Sequence, residues 1–234
     1  MGQLSGIKIS APTYSEVVPS TKQKVKLTPF RVGDEKTLMI AAQSKNSKQM
    51  VTALKKVISN CVESVNVNEL APFDLEYLFI KLRAVSVGET ANIGVKCEAC
   101  EEVNPITVDL SKVKVHETPG HTNMIKISKE LVFEMRYPDL DKINTDFDPN
   151  DIDQVFQIVV DSIKKVYHNE DVIEVGPGDK KDMIELLESF SSKQFAGVQE
   201  FFEKAPKMKE HISFDCKKCN THNKQTLEGL ASFF

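Results

Sequence analysis

The sequence predicts an α+β fold, a helical body carrying short antiparallel strands. Three observations predict it. Apolar residues recur at helical spacing in several separate segments, and Leu131, Phe133, Met135 and Tyr137 alternate with Val132, Glu134 and Arg136. Two Cys-x-x-Cys turns, Cys97-Glu-Ala-Cys100 and Cys216-Lys-Lys-Cys219, have strand-like surroundings: Ile93-Gly-Val95 and Ile106-Thr-Val108 about the first, Ile212-Ser-Phe214 before the second. Both read as β-hairpins with cysteines at the bend.

Taken in order, residues 1–33 carry Pro12, Pro19 and Pro29 with an alternating Lys24-Val-Lys-Leu27 stretch. They predict an extended arm that adds a strand or two to the body or to a neighbour. Residues 34–92 predict a helical segment. Asp34 after Gly33 is a plausible N-cap for a short helix through Leu38, Ala41 and Ala42. Asn46 with Gln49 resembles a capping box, and Met50, Leu54, Val57, Ile58, Cys61 and Val62 follow at helical spacing. Cys61 falls on that apolar face and reads as packing. A further helix begins at Pro72, suited to a first turn, and places Leu75, Leu78, Phe79 and Leu82 on one side.

Residues 129–206 predict the alternating strand followed by a helical insertion. The acidic run Asp146-Phe-Asp-Pro-Asn-Asp-Ile-Asp153 begins like a calcium loop. It has Asp151 where that loop needs glycine and Gln157 where it needs a bidentate glutamate. A helix start fits better, with Asp148 as N-cap, Pro149 in the first turn, and an apolar stripe running through Ile152, Val155, Phe156, Val159, Val160, Ile163 and Val166. Asp179 begins another helix, and Ser191 with Gln194 caps a last one before Phe195, Val198, Phe201 and Phe202. Residues 229–234 form an apolar tail that either tucks into the body or plugs into a partner.

The cysteine pairs carry the chemistry. Two thiolates on a tight turn can grip one Zn²⁺, and two such turns complete a tetrahedral shell of Cys97, Cys100, Cys216 and Cys219. The implied module is a split zinc ribbon, residues 93–115 with 207–228, holding one structural zinc per chain. Disulfides within such short loops would remove little unfolded-chain entropy, whereas a structural zinc contributes about 10–16 kcal/mol in small zinc peptides. Five cysteines with no apolar leader after Met1 point to a reducing place of synthesis. A rival Cys₂His₂ set would add His116 and His121. Thr118-Pro-Gly120 breaks the helix such histidines need, and Cys216 and Cys219 would be orphaned.

Other functions are weighed against this. The formal charge of −4 argues against a protein built to grip nucleic acid. A zinc ribbon contacting nucleic acid is nevertheless the alternative, because Lys207, Lys209, Lys217, Lys218 and Lys224 surround the second knuckle. The first knuckle is acidic, so one metal would bring opposite charges together. No GxSxG, HExxH, Walker A or GxGxxG sequence appears, and neither an enzyme nor a small-molecule substrate is expected. No apolar run approaches membrane-spanning length.

Phe73-Asp74-Leu75 ahead of an amphipathic helix, the Leu82-Arg83-x-x-Ser86-x-Gly88 exit, the chain length and the terminal Phe233-Phe234 together resemble the baseplate hub proteins of T4-like tailed bacteriophages. The resemblance implies a small hub component or assembly factor of a contractile tail. Its partners would be other baseplate hub or tail proteins, met in the host cytoplasm during assembly and in the virion tail baseplate. Phe73, Asp74, Leu75, Phe233 and Phe234 are then the expected partner-binding residues. The zinc ligands rest on cysteine spacing alone.

Overall fold

The computed structural model describes residues 10–140 and 151–233. Within them the chain is mixed α and β, with six α-helices and four antiparallel sheets. The N-terminal segment forms a hairpin, β1 (Tyr14–Val17) with β2 (Lys24–Leu27), and β3 (Val62–Glu63) pairs with the other side of β2. Val25 and Leu27 alternate inward from β2, so the segment adds its strands to the chain's own body.

Helix α1 (Val32–Gln43) is capped at Arg31, three residues before the expected N-cap. Asp34 instead sits in its first turn and accepts the Arg31 N–H at 3.0 Å, the reciprocal half of a capping arrangement. Helix α2 (Ser47–Cys61) begins as expected, with Asn46 Oδ1 accepting the Gln49 N–H at 3.0 Å.

Helix α3 (Pro72–Ser86) is the axle of the molecule. It is buried on more than one side: Leu75, Leu78 and Leu82 enter a first core with Val18, Leu27, Val57 and Ile58, whereas Ile80 and Ala84 enter a second. A helix apolar over most of its circumference has to be covered on most of it.

The second core lies between two hairpins far apart in sequence. β4 (Thr90–Lys96) pairs with β5 (Val103–Asp109), and β11 (Lys207–Asp215) pairs with β12 (His222–Glu228). β6 (Lys114–His116) lines the free side of β11. Ile93, Val95 and Val108 from the first hairpin meet Met208 and Leu227 from the second.

Between them lies a third core on the sheet β10 (Asp171–Glu174), β9 (Ile163–His168), β8 (Leu131–Met135) and β7 (Met124–Lys126), in that order. Helices α4 (Ile152–Asp161), α5 (Lys180–Glu188) and α6 (Ser192–Glu203) supply Val159, Val160, Leu187, Val198 and Phe201 to it. The expected cap Asp148 and Pro149 lie outside the described residues; in the described part Asp151 caps α4 through the N–H groups of Asp153 and Gln154.

Ile163 and Val166 correct the sequence reading. They are strand residues of β9, not the end of the α4 stripe. Met135 pairs with Ile163 and Phe133 with Val166, so three residues of β8 span four of β9, with the register shift at Glu134/Met135. A bulge allows a three-residue spacing that imitates a helix to face one core from a strand. Ahead of α5, a 3₁₀ turn (Pro177–Asp179) places Asp179 one residue before the helix, and its Oδ2 accepts the Gly176 N–H at 2.7 Å.

Candidate metal centre

The loops after β4 and β11 have the same backbone. Cys97 N–H donates to Glu102 O at 2.9 Å and Glu101 N–H to Cys97 O at 2.9 Å; Cys216 N–H donates to Thr221 O at 3.0 Å and Asn220 N–H to Cys216 O at 2.9 Å. Glu101 and Asn220 both adopt φ 57°. Asn tolerates that left-handed conformation, whereas a Glu there is strained and is held by the surrounding turn.

Docking of the hairpins through the second core brings the four thiols together. Cys97 Sγ lies 3.7 Å from Cys219 Sγ and Cys100 Sγ 3.6 Å from Cys216 Sγ, and all four sulfurs lie within 4.8 Å of one another. Both short separations run between hairpins. A tetrahedral zinc with Zn–S of about 2.3 Å has sulfurs about 3.8 Å apart along each edge. A disulfide needs about 2.05 Å, and all five cysteines are free. The donor set and its spacing therefore fit a thiophilic divalent ion.

The electrostatics agree. The backbone N–H groups of Cys219 and Lys218, with the Asn104 amide, hold the Cys216 thiol down to about 6. The Glu102 N–H acts in the same direction on Cys100, yet its three sulfur neighbours and burial outweigh it and push that thiol up to about 12. Four thiols at this spacing cannot all ionise without a cation among them. Hydroxyl and backbone contacts from Thr221 draw Cys219 down as well.

Opposite charges meet at the rim. Glu102 of the first knuckle pairs with Lys217 and Lys218 of the second at 3.5 and 3.6 Å. Glu228 takes Lys207 and Lys209 at 2.8 and 3.2 Å. Four of the five lysines that suggested a phosphate-binding strip are thus turned toward carboxylates of this chain.

His116 and His121 do not join the sulfurs. His121 Nε2 and Tyr137 Oη are 2.8 Å apart, with the imidazole stacked on Tyr137 and Phe201. His116 lies beside His211, ring centroids 6.1 Å apart. Cys61 is buried under Asp34, and burial with that carboxylate pushes its thiol up to about 11.

The residues expected at a partner surface are placed otherwise. Asp74 is fully buried, its carboxylate accepting Ser20 N–H at 2.9 Å, Ser20 Oγ–H at 2.5 Å and Ala71 N–H at 3.1 Å. Phe73 packs edge-on against Tyr137, and Leu75 lies in the first core. Phe233, in a closing 3₁₀ turn (Leu230–Phe233), is fully buried in the second core, and Glu76 accepts the Leu230 N–H that starts this turn. Phe234 lies outside the described residues. These four described side chains are occupied in holding the fold.

Two residues escaped the sequence reading. Asn104 Oδ1 accepts the Lys217 N–H at 2.9 Å and its Nδ2 lies 3.7 Å from Cys216 Sγ; Asn223 Oδ1 accepts the Glu98 N–H at 3.0 Å and its Nδ2 lies 3.5 Å from Cys97 Sγ. The signal was present as a repeat, Cys-x-x-Cys-x-x-x-Asn, at 97–104 and again at 216–223.

Among the described residues no helix is long and apolar enough to cross a membrane. No curated protein and no solved structure matches the chain. A family model does match, that of the T4 bacteriophage base plate protein, over residues 11–234. With nearly the whole sequence matched, the chain belongs to this family of phage base plate proteins.

Proposed function

We propose that the chain is a structural or assembly protein of the hub of a contractile-tail baseplate, acting by protein–protein interaction and without catalysis. Its partners are other baseplate hub or tail proteins, met in the host cytoplasm during assembly or at the virion tail baseplate. Cys97, Cys100, Cys216 and Cys219 hold one structural zinc per chain and close a split zinc-ribbon-like module of residues 93–115 and 207–228. The remaining segments follow the sequence division, with 1–33 as the arm, 34–92 as the helical segment, 129–206 as an insertion and 229–234 as the tail.

The observation that carries this reading is the sulfur cluster drawn from two hairpins, each of which supplies half the ligands. The base plate family supports the structural role. A bound zinc supplies a cross-link and charge neutralisation for four thiolates. The chain's own residues do the rest: the N–H groups of the two turns stabilise thiolates, and the Glu102 ion pairs hold the knuckles face to face. Joining β4–β5 to β11–β12 fixes α3 and the closing turn against one core, so the outer surface is displayed in one arrangement.

The role is tested by electron microscopy of lysates from phage lacking this chain. Arrest of tail assembly at the baseplate, restored by the wild-type chain, is the expected result. Normal baseplates without it contradict the reading.

A further inference from the structure

We propose that Asn104 and Asn223 are positioning residues of the metal centre, each serving the knuckle of the opposite hairpin. The proposal rests on the four-cysteine reading above and adds the two side chains that align its halves.

Asn104 lies opposite Val95 in the first hairpin, and Asn223 lies opposite Phe214 in the second, at the same register relative to their cysteines. They are 3% and 1% exposed. Every polar atom of each amide has a partner. Each Nδ2 donates to a carbonyl of its own turn, Glu102 O for Asn104 and Thr221 O for Asn223, both at 2.8 Å. It also faces a sulfur of the other hairpin, while each Oδ1 accepts the backbone N–H next to that sulfur's residue. The acceptance from Lys217 and Glu98 fixes which end of the amide is oxygen, since the reverse orientation would oppose donor to donor.

This arrangement has a chemical purpose. Four thiolates around a divalent cation leave a net charge of about −2 in a half-buried site, which N–H donors aimed at sulfur stabilise. The side-chain donors on Cys97 and Cys216 are these asparagines of the opposite hairpin, and these are the two fully buried cysteines of the four. Aspartate at either position would set a carboxylate against a thiolate. Leucine would leave the Lys217 or Glu98 N–H of the partner hairpin without its side-chain acceptor. Neither knuckle is complete without the other, so docking of the hairpins and closure of the metal shell are one event.

The test uses the full chain loaded with cadmium-113, in which scalar coupling reports each bonded sulfur and each N–H···S bond. The expected wild-type result is coupling from cadmium to the β-protons of all four cysteines and to the side-chain amide protons of Asn104 and Asn223. In Asn104→Ala the Cys216 β-protons should shift more than those of Cys97 and Cys100, and in Asn223→Ala the Cys97 β-protons should shift more than those of Cys216 and Cys219. Transfer of zinc to a chelator should accelerate about 10- to 100-fold in either variant. Larger shifts in the hairpin carrying the substitution, or unchanged transfer, overturn the proposal. Should the variants fail to fold, absence of amide coupling in the wild type overturns it alone. Cadmium on all four cysteines without asparagine coupling refutes only this inference; cadmium on fewer cysteines refutes the metal reading too.

Discussion

Cys97 and Cys219 stand 122 residues apart in the chain and 3.7 Å apart at their sulfurs, each at the bend of a different hairpin. A metal bridging them closes a very long loop, and the large segment between them folds as its own sheet and helices within that closure. The four-sulfur cluster and the second core are thus built from the same two hairpins.

Replacing Cys97 and Cys216 by serine should abolish stoichiometric zinc and lower the melting temperature. A destabilisation of about 3 kcal/mol corresponds to about 6–12 °C for a chain of this size. Differential scanning calorimetry with metal analysis checks it, and chelator should lower the wild type toward the variant.

Asp74→Ala should cost about 3 kcal/mol, because three donors lose a buried carboxylate that ties the β1–β2 turn to the start of α3. Urea titration measures the loss. Asp74→Asn, which keeps an acceptor, should recover part of it.

Phe233→Ala should cost about 3–5 kcal/mol, the usual range for emptying a fully buried aromatic site. The same titration reads it. A tail that served only to plug into a partner would leave the stability of the isolated chain unchanged.

His121 should titrate below 6.5, since burial against Tyr137 and Phe201 disfavours the imidazolium more than Glu117 favours it. A depressed folded value means that the unfolded chain binds the proton more readily. Its contribution to stability is then complete above about pH 6.5 and lost as the pH falls through the folded value. The NMR titration of its ring protons checks the direction, and a midpoint above 6.5 contradicts it.

The clustering of the four cysteines was legible because Cys-x-x-Cys spacing is a local property of a turn, and the flanking alternation named both turns as hairpins. Asn104 and Asn223 were not, because an asparagine after a turn ordinarily serves its own backbone, and these two serve in addition a turn more than 110 residues away. Ile163 and Val166 misled for a related reason: a three-residue spacing belongs to a helix or to a bulged strand, and β8, which decides, is distant in sequence. Phe73, Asp74 and Leu75 read as a docking motif beside an amphipathic helix. Only the tertiary structure shows α3 covered on several faces, with Asp74 answering Ser20.

Native mass spectrometry of the purified chain, with and without chelator, decides whether both hairpins share one metal. One zinc per chain is expected, lost in Cys97→Ser and in Cys216→Ser alike, whichever hairpin carries the change. Two zincs per chain, or a zinc that survives loss of either hairpin's cysteine, would contradict it.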